Sequence, residues 1–497
     1  MLSCISVKLK HMPNNENINI VWLKRDLRLT DHLPLHHAIQ KQEPFLILYI
    51  YEHSLMSDVH YDERHWRFIE QSLAAIQEEL QVYDKKFTVT HGEASEVFKV
   101  LLDRYCIKNI FSHEETGLQV TYSRDHQLKL LFKEHDIRWV EYPSNAVIRG
   151  LTNRKNWEKH WSNIMHAPIK SINLLKAKII SHDFCSKNLP TYPANKFYQK
   201  GGFKSAHDEL KSFFAHRGRE YYKNISKPEK SRYTCSRLSP YICYGNISIR
   251  EVYRALLNSW DRPGWRMAMK ALSSRLHWHC HFIQKFESEI AIENDPVNSG
   301  YKNFPYIVLD KSHCDFQLWA HGKTGYPLVD ASMRALKSTG YLNFRMRAML
   351  VSFACHYYLI HWKLVAEYLA TLFLDFEPGI HYPQIQMQAG VTGINTIRIY
   401  NPMKQALEHD VDALFIKKWV GELRGFDPGY ILNLPSKNYD LFSLPESHYP
   451  QPLYDFQGRV KKTKELLWQW KNSNSVKRNN LKILSKHVKV RKILGHN

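Results

Sequence analysis

Between residues 17 and 142, short apolar segments alternate with amphipathic ones. The apolar segments are 17–23, 45–51, 86–90, 108–112 and 137–142, and helical patterns begin at Asp31 and cover 63–83, 93–105 and 120–135. Strands that alternate with helices predict a parallel, doubly wound sheet of five strands. No Gly-x-Gly-x-x-Gly sequence follows the first strand, which argues against a standard dinucleotide site at that point.

The strand pattern largely disappears after residue 203, and almost every later periodic segment is helical. We therefore predict an α/β domain at 17–145, a linker at 146–202, an all-α domain at 203–430 and a basic C-terminal extension at 431–497. The extension is rich in Lys and Arg from Arg459 to Lys492 and carries an apolar stripe that includes Leu467 and Trp470.

The net charge of +21 over 497 residues indicates a polyanionic partner, either nucleic acid or an anionic membrane surface. A well-solvated basic surface without such a partner is the alternative. The longest apolar run, near residues 348–362, contains two histidines and is shorter than the ~20 residues of a membrane helix. We expect no signal peptide, no membrane association and a monomer.

The eight cysteines are scattered and form no Cys-x-x-Cys pair. This pattern gives little support to a zinc ribbon, a redox dithiol or an iron–sulfur cluster. It is typical of a reducing compartment, so we expect the protein in the cytoplasm.

The charges Arg347 and Asp375 lie within the largely apolar and aromatic stretch from Tyr341 to Phe376. A buried charge is tolerated only when it is paired or bound to something polar. Their apolar surroundings indicate a polar ligand bound between packed helices. A purely structural ion pair is the alternative that the residues leave open.

Two shorter motifs could also carry chemistry. The hydroxyl-rich segment 233–242 precedes a helix and favours an anion site, although a plain helix cap explains it equally well. Three histidines alternate in 275–282, but only His277 and His281 share a helix face, and no carboxylate lies nearby in the sequence. We therefore expect no metal site.

The thirteen tryptophans and twenty-eight tyrosines fit core packing, or stacking on a flat cofactor or an extruded base.

Five segments, in order along the chain, resemble the DNA photolyase/cryptochrome family. They are Val-Trp-Leu-Lys-Arg-Asp-Leu-Arg-Leu-Thr-Asp-His (21–32), Cys-Ser-Arg-Leu-Ser-Pro-Tyr (235–241), Trp-Ala-His-Gly-Lys-Thr-Gly-Tyr-Pro-Leu-Val-Asp-Ala-Ser-Met-Arg (319–334), Arg-Ile-Tyr-Asn-Pro (398–402) and Phe-Ile-Lys-Lys-Trp-Val-Gly-Glu-Leu (415–423). Members of this family hold a U-shaped FAD inside the helical domain. The N-terminal domain can hold an antenna chromophore, whose type the sequence does not identify.

The resemblance implies a set of cofactor-binding residues. It points to Ser236, Leu238 and Ser239 for the diphosphate, with Cys235 where the family often has Thr, and to Arg237 in the same segment. Either Tyr221 or Tyr222 would lie near the same cofactor, with Tyr222 the choice here. Around the rings it implies Trp278, the Arg347–Asp375 pair and, facing the flavin ring nitrogen, His381 or Gly379.

The substrate-side positions depart from the pattern of the repair enzymes. Arg275 stands where a Glu is usual, and His279 stands where an Arg is usual. Phe344 and Ala348 align with the usual Asn and Met. For electron transfer, Trp362 matches the middle tryptophan of the usual chain, and Tyr382 and Tyr400 are the alternatives for the missing flavin-proximal member.

Three functions remain in view. The first is a DNA photolyase-like lyase that repairs pyrimidine dimers by light-driven electron transfer from FAD to a flipped lesion. The second is a cryptochrome-like blue-light receptor without repair activity, favoured by Arg275, Phe344 and Ala348. The third is a basic nucleic-acid-binding protein that has lost its flavin. The +21 charge suits a DNA partner in the first and third cases.

Overall fold

The structure, a computed structural model, describes residues 17–184, 189–307, 309–434 and 448–487. Its N-terminal part contains the five predicted strands, all parallel, in the order β3-β2-β1-β4-β5. They are β1 (Asn17–Leu23), β2 (Phe45–Tyr51), β3 (Thr88–His91), β4 (Cys106–His113) and β5 (Arg138–Tyr142). The prediction of a doubly wound parallel sheet is confirmed. A sixth strand, β6 (Ile179–Ile180), pairs with the start of β2 and is too short to give a periodic signal.

Helices cover both faces of this sheet because side chains on a strand alternate between the faces. Ile18, Ile20 and Trp22 pack in one cluster, and Val21 and Leu23 pack in another on the opposite face. The helices of this part are α1 (Leu33–Gln40), α2 (His53–Met56), α3 (Glu63–Gln81), α4 (Ala94–Leu102) and α5 (Gln119–Glu134).

The segment predicted as a linker contains α6 (Trp157–His166). Trp157 and Trp161 are buried, and the Trp157 Nε1–H donates to the carbonyl of Ala146 at 3.2 Å. This part of the segment therefore packs against its neighbours as an ordered element.

The rest of the described chain is helical, which confirms the all-α prediction. Its helices are α7 (Phe203–Ala215), α8 (Tyr221–Asn224), α9 (Pro228–Thr234), α10 (Ser239–Cys243), α11 (Ile249–Asn258), α12 (Arg266–Glu287), α13 (Cys314–Ala320), α14 (Pro327–Thr339), α15 (Phe344–Tyr357), α16 (Trp362–Leu372), α17 (Pro378–Gln388), α18 (Pro402–His409), α19 (Leu414–Trp419), α20 (Pro428–Asn433), α21 (Phe456–Asn472) and α22 (Asn474–His487). The largest buried cluster lies among α13 to α17. No helix in these described ranges combines the length and apolar character needed to cross a membrane.

The C-terminal helices α21 and α22 are part of this helical body. Phe456 is buried, with its ring 5.2 Å from that of Tyr358. The Trp470 Nε1–H donates to the carbonyl of Gly300 at 2.8 Å. The described part of the predicted extension is therefore integral to the core, because its apolar stripe packs inward.

Polar contacts fix the helical domain to the sheet domain. The Arg25 guanidinium lies 2.7 Å from a carboxylate oxygen of Glu377, and the His65 Nε2 bonds the Phe373 carbonyl at 3.0 Å. These contacts hold the loop before α17 against the segment after β1 and against the start of α3.

Candidate functional site

A cavity of about 880 Å³ lies inside the helical domain. Its wall comes from 154–158, 221–239, 272–285, 341–347, 380–398 and His487. Pockets for small molecules and cofactors usually measure about 300–1,000 Å³. The cavity is therefore large enough for a nucleotide-sized ligand.

Arg347 and Asp375 form an ion pair at this cavity, with 2.9 Å between the Arg347 Nη2 and the Asp375 Oδ2. Arg347 lines the wall and lies 4.2 Å above the Phe373 ring. Burial alone would raise the pKa of Asp375, but the Arg347 guanidinium holds it below its ordinary value. The second carboxylate oxygen, Oδ1, is buried without a hydrogen-bond partner among the described residues. A pair with one unused acceptor at a cavity is suited to a polar ligand.

The segment from Cys235 to Ser239 is the second polar part of the wall. Arg237 has a φ of 61°, in the left-handed region that residues other than glycine seldom adopt. Its guanidinium lies 3.4 Å from the centre of the Tyr341 ring, and its Nη1 is buried with no partner in the described chain. Cys235, Ser236 and Ser239 also line the cavity, whereas Leu238 is buried in the core beside it.

The part of the wall at 341–343 adds another unpaired acceptor. Gly340, with a φ of 66°, ends α14 in the left-handed conformation that glycine adopts without strain, and it directs the chain into this part of the wall. The Asn343 Nδ2 donates to the Ile225 carbonyl at 3.1 Å, while its Oδ1 has no partner among the described residues. The unpaired polar atoms of Arg237, Asn343 and Asp375 together fit the diphosphate, ribose and ring edges of FAD.

One face of α12 brings three predicted residues to the cavity, two from the substrate side and Trp278 from the cofactor side. Arg275, Trp278 and His279 all line it. The Trp278 ring is 44% exposed and stacks on Phe282 at 5.5 Å, so a flat face remains open to a ligand. Burial lowers the pKa of His279 to about 4, and its Nε2 is buried with no partner in the described chain. Phe344 also lines the wall and is 44% exposed.

Helix α17 separates the cavity from an aromatic cluster. Ile380, Pro383 and Gln384 face the cavity, while His381 and Tyr382 do not line it. The His381 Nε2 bonds the Ala366 carbonyl at 2.9 Å, and burial lowers the pKa of His381 to about 3. The flavin-facing role expected for His381 therefore has no support from this conformation, because its polar edge is engaged elsewhere.

The predicted electron-transfer residues lie in that cluster. The rings of Trp362 and Tyr382 are 6.4 Å apart, edge to face. The Tyr382 hydroxyl bonds the His60 Nε2, and the His60 Nδ1 lies 2.5 Å from the Asp58 Oδ1. Burial places the pKa of Tyr382 well above its ordinary value. Tyr400 lies elsewhere, where its carbonyl accepts from the Tyr357 hydroxyl at 3.1 Å.

Two further predicted residues, Tyr222 and Ala348, lie away from the cavity wall. Tyr221 lines the cavity and Tyr222 does not, because Tyr222 is one position further along α8 and points outward, 36% exposed. Ala348 is 2% exposed and packs inside the helical body, since it follows Arg347 on α15 and faces the other way.

Three basic side chains that the sequence analysis did not single out also line the cavity: Arg154, Lys285 and His487. Lys285 is seven positions after Trp278 on α12 and so shares its face, which helix periodicity alone could have revealed. Arg154 and His487 lie far from the motifs in the sequence, and only the fold brings them together.

A smaller cleft of about 110 Å³ lies at the carboxyl ends of β1 and β4. Asp26 lies within it, 2.8 Å from the His32 Nε2 and 2.6 Å from the His113 Nδ1. The His32 Nδ1 accepts from the backbone of Leu35, so its Nε2 carries the proton that it donates to Asp26. This cluster is therefore a hydrogen-bonded structural group. The cleft is smaller than the usual ligand pocket, and the antenna chromophore stays a prediction.

Solved structures share this fold. A photolyase from Sulfolobus tokodaii, described as containing two FAD molecules, has a TM-score of 0.75 and 23% identity over 91% of this chain and 100% of its own. A class III photolyase from Agrobacterium tumefaciens has a TM-score of 0.77 and 21% identity over 94% of this chain and 100% of its own. At these identities the likeness concerns the fold alone.

Sequence comparisons extend to both parts of the chain. A Cryptochrome DASH from Synechocystis is 26% identical over 496 residues, 92% of this chain and 99% of its own. A deoxyribodipyrimidine photo-lyase from Vibrio cholerae is 26% identical over 447 residues, 83% of this chain and 92% of its own. The family model for DNA photolyase matches residues 19–159, and that for the FAD binding domain of DNA photolyase matches residues 272–469. The second of these regions supplies much of the wall of the large cavity, and the chain belongs to the DNA photolyase/cryptochrome family and contains its FAD-binding domain.

Proposed function

We propose that this protein is an FAD-dependent, blue-light-driven photolyase-like enzyme that repairs UV-induced pyrimidine dimers in DNA. The observation that carries the proposal is the 880 Å³ cavity, whose wall combines the Arg347–Asp375 pair with the open ring face of Trp278. One side of such a cavity suits a flavin and the other suits a base flipped out of the duplex. The net charge of +21 supports a DNA partner.

The residues of the wall hold and orient the cofactor in this proposal. Arg347 and Asp375 flank the ring system, and the segment 235–239 binds the diphosphate through its hydroxyl groups, its backbone and the Arg237 guanidinium. When bound and reduced, FAD supplies an electron to the lesion under blue light and regains it after the dimer has split. The protein contributes position, a low-dielectric surrounding and exclusion of water.

The face of α12 receives the lesion in this proposal. The Trp278 ring offers a stacking surface, and Arg275 offers a cation where the family usually has a carboxylate. His279 is neutral at physiological pH because its pKa is lowered to about 4 by burial. It therefore contacts the lesion by hydrogen bonding through its unpartnered Nε2, without adding a charge.

Trp362 and Tyr382 form the electron route to the cofactor in this proposal. The centres of their rings are 6.4 Å apart on the side of α17 away from the cavity, while Ile380 and Pro383 on the same helix face the cavity. Tyr400 remains a second candidate for the step nearest the flavin.

Repair is tested with irradiated oligonucleotides. Purified, flavin-loaded protein is illuminated with single-stranded and double-stranded substrates that carry either of the two main pyrimidine lesions. We expect light-dependent restoration of at least one substrate, and none in the dark. Failure to restore any of the four substrates would overturn the repair proposal.

The second candidate is a cryptochrome-like blue-light receptor. Arg275 in place of the usual carboxylate favours it, as does Ala348, which is buried away from the cavity. This candidate predicts a light-induced change in flavin absorption and in association with a partner, without repair. The same illuminated samples therefore separate the two candidates.

The six described cysteines that are free of disulfides support action in a reducing cytoplasm. We propose a monomer as the working unit, because the cavity is completed within one chain. A single monomeric mass in light scattering is the expected result.

A further inference from the structure

Four basic side chains converge on one part of the large cavity. We call this group the basic pocket: Arg154, His281, Lys285 and His487. They come from the segment before α6, from α12 and from the end of α22. Arg154 is only 4% exposed and Lys285 only 7% exposed. Buried cations of this kind are rare unless a counter-charge accompanies them.

The described residues leave the two cations of this group, Arg154 and Lys285, with few polar partners, although the Arg154 guanidinium also lies 4.9 Å from the centre of the Trp157 ring. The Arg154 Nε and Nη1 are buried with no hydrogen bond, and only its Nη2 donates, to the His281 carbonyl at 3.1 Å. Lys285 makes no hydrogen bond and no ion pair within the described ranges, and the His487 Nδ1 is likewise buried without a partner there. Unpaired donors from three elements thus face the same space.

The nearby carboxylates are already engaged. Glu289 lies 2.8 Å from the His487 Nε2 and also pairs with Lys486, and Glu158 lies 2.9 Å from the His277 Nε2. Burial, partly offset by Glu289, lowers the pKa of Lys285 to about 8, and burial lowers the pKa of Arg154 to about 10. Both remain largely charged at neutral pH, so the pocket has an excess of positive charge.

We propose that the basic pocket binds a phosphate group of the DNA strand that enters the cavity. The proposal rests on the function proposed above. The Arg154 guanidinium offers unpartnered N–H donors to a phosphate oxygen, and Lys285 adds a point charge. Lys285 lies about 10 Å along α12 from Trp278 on the same face, so a strand can place a base on the ring and a phosphate in the pocket.

The pocket is distinct from the segment 235–239, which is the expected diphosphate site of FAD. Inorganic phosphate is therefore titrated calorimetrically into flavin-loaded protein, so that the flavin occupies its own site. We expect binding to the original protein and a roughly tenfold or greater loss of affinity in Lys285→Met, because one cation of the site is removed. Methionine keeps the length of the chain and removes a buried charge, so folding should not be harmed.

Lys270→Met is the matched control, since Lys270 lies on the same helix and is exposed to solvent. It should bind phosphate as the original protein does. Equal affinity in all three proteins would overturn the proposal that the basic pocket binds phosphate. Phosphate binding only after removal of the flavin would assign these cations to the cofactor and would also overturn it.

A fluorescent oligothymidylate tests whether the phosphate belongs to DNA. The slope of log affinity against log salt should be shallower by about 0.7 in Lys285→Met and unchanged in Lys270→Met, because each single-strand phosphate contact contributes about that amount. Equal slopes in the three proteins would contradict the DNA assignment. If the original protein binds no DNA, the proposed function fails, while the phosphate titration still decides whether the pocket binds anions.

Discussion

The Arg347–Asp375 pair joins two elements at the cavity, since Arg347 belongs to α15 and Asp375 to the loop between α16 and α17. Their side chains are 25% and 9% exposed. At this degree of burial each charge depends on the other, and on whatever polar group occupies the cavity. The pair therefore couples the local packing to retention of the cofactor.

Asp375→Asn should weaken FAD binding, because it leaves the Arg347 guanidinium without its counter-charge. Loss of one member of a buried pair costs about 3–5 kcal/mol, and the partial exposure of Arg347 places this case near the lower value. The ratio of flavin to protein absorbance after dialysis measures the effect. Lys404→Met is the control, since its pair with Glu408 is exposed and 3.7 Å long. Full flavin occupancy in Asp375→Asn would show that the pair does not hold the cofactor.

Tyr382→Phe should slow the light-driven reduction of bound flavin by roughly tenfold or more. A tyrosine that gives up an electron must also lose its phenolic proton, and His60 is the acceptor in contact with it. Asp58 holds the other ring nitrogen of His60, so the Nε2 is free to take that proton. Flash absorbance measures the rate. Tyr358→Phe is the control because Tyr358 is equally buried and its hydroxyl has no partner in the described chain. An unchanged rate in Tyr382→Phe would remove this residue from the route.

At the scale of the elements, the site depends on the contact between α12 and α17. Gly379 lies near the start of α17, and a Cβ built there would be 2.7 Å from the Cα of Ile283. Only a glycine permits this approach of the two helices. The spacing of these helices sets the width of the cavity between Trp278 and Ile380.

Gly379→Ala should lower both the thermal midpoint and the flavin occupancy, because the backbone of α12 must move to admit the methyl group. Overpacking of this kind typically costs about 1–3 kcal/mol. The comparison is Gly458→Ala in α21, where no atom lies within 4 Å of the added Cβ. That change should stabilise the protein by about 0.5–1 kcal/mol, because alanine is the better helix former. Scanning calorimetry measures the thermal midpoints of both variants. Equal midpoints would show that the close approach of α12 and α17 does not require a glycine at position 379.

The elements also show what a sequence can and cannot predict. The five strands and the helical half were predicted correctly, because long periodic patterns report local structure. The two-residue strand β6 was missed because it is too short for a periodic pattern, and α6 was missed because it lies in a segment rich in polar residues and proline. Arg347 and Asp375 were expected to meet because they match the Arg–Asp pair of the family that the sequence resembles. Arg154 and His487 stand out in no such way, and only tertiary packing brings them to the cavity.

The whole molecule contains histidines that are buried in the neutral state. The His65 Nε2 bonds the Phe373 carbonyl while its Nδ1 accepts from the Asp62 backbone, and His356 bonds Ser352 and the Ala389 carbonyl. Burial lowers the pKa of each ring to about 4. Protonation therefore favours the unfolded chain, where these groups have ordinary pKa values near 6.5.

The free energy of unfolding should consequently be retained above pH 6.5 and fall as the pH drops towards 4. Each of the two rings contributes about 3 kcal/mol to this loss. Urea denaturation at several pH values measures it. His356→Gln should reduce the slope by up to about 1.4 kcal/mol per pH unit, whereas the exposed His126→Gln should leave it unchanged. A slope that is the same in all three proteins would refute this origin of acid sensitivity.

The wall of the cavity draws on parts of the chain as far apart as Arg154 and His487. A recombinant fragment limited to residues 203–430 would thus be missing both of these side chains and the packing of α21 against Phe353. Expression trials that trim the chain to its most recognisable portion should yield colourless or insoluble material. Work on this protein is best begun with the entire polypeptide.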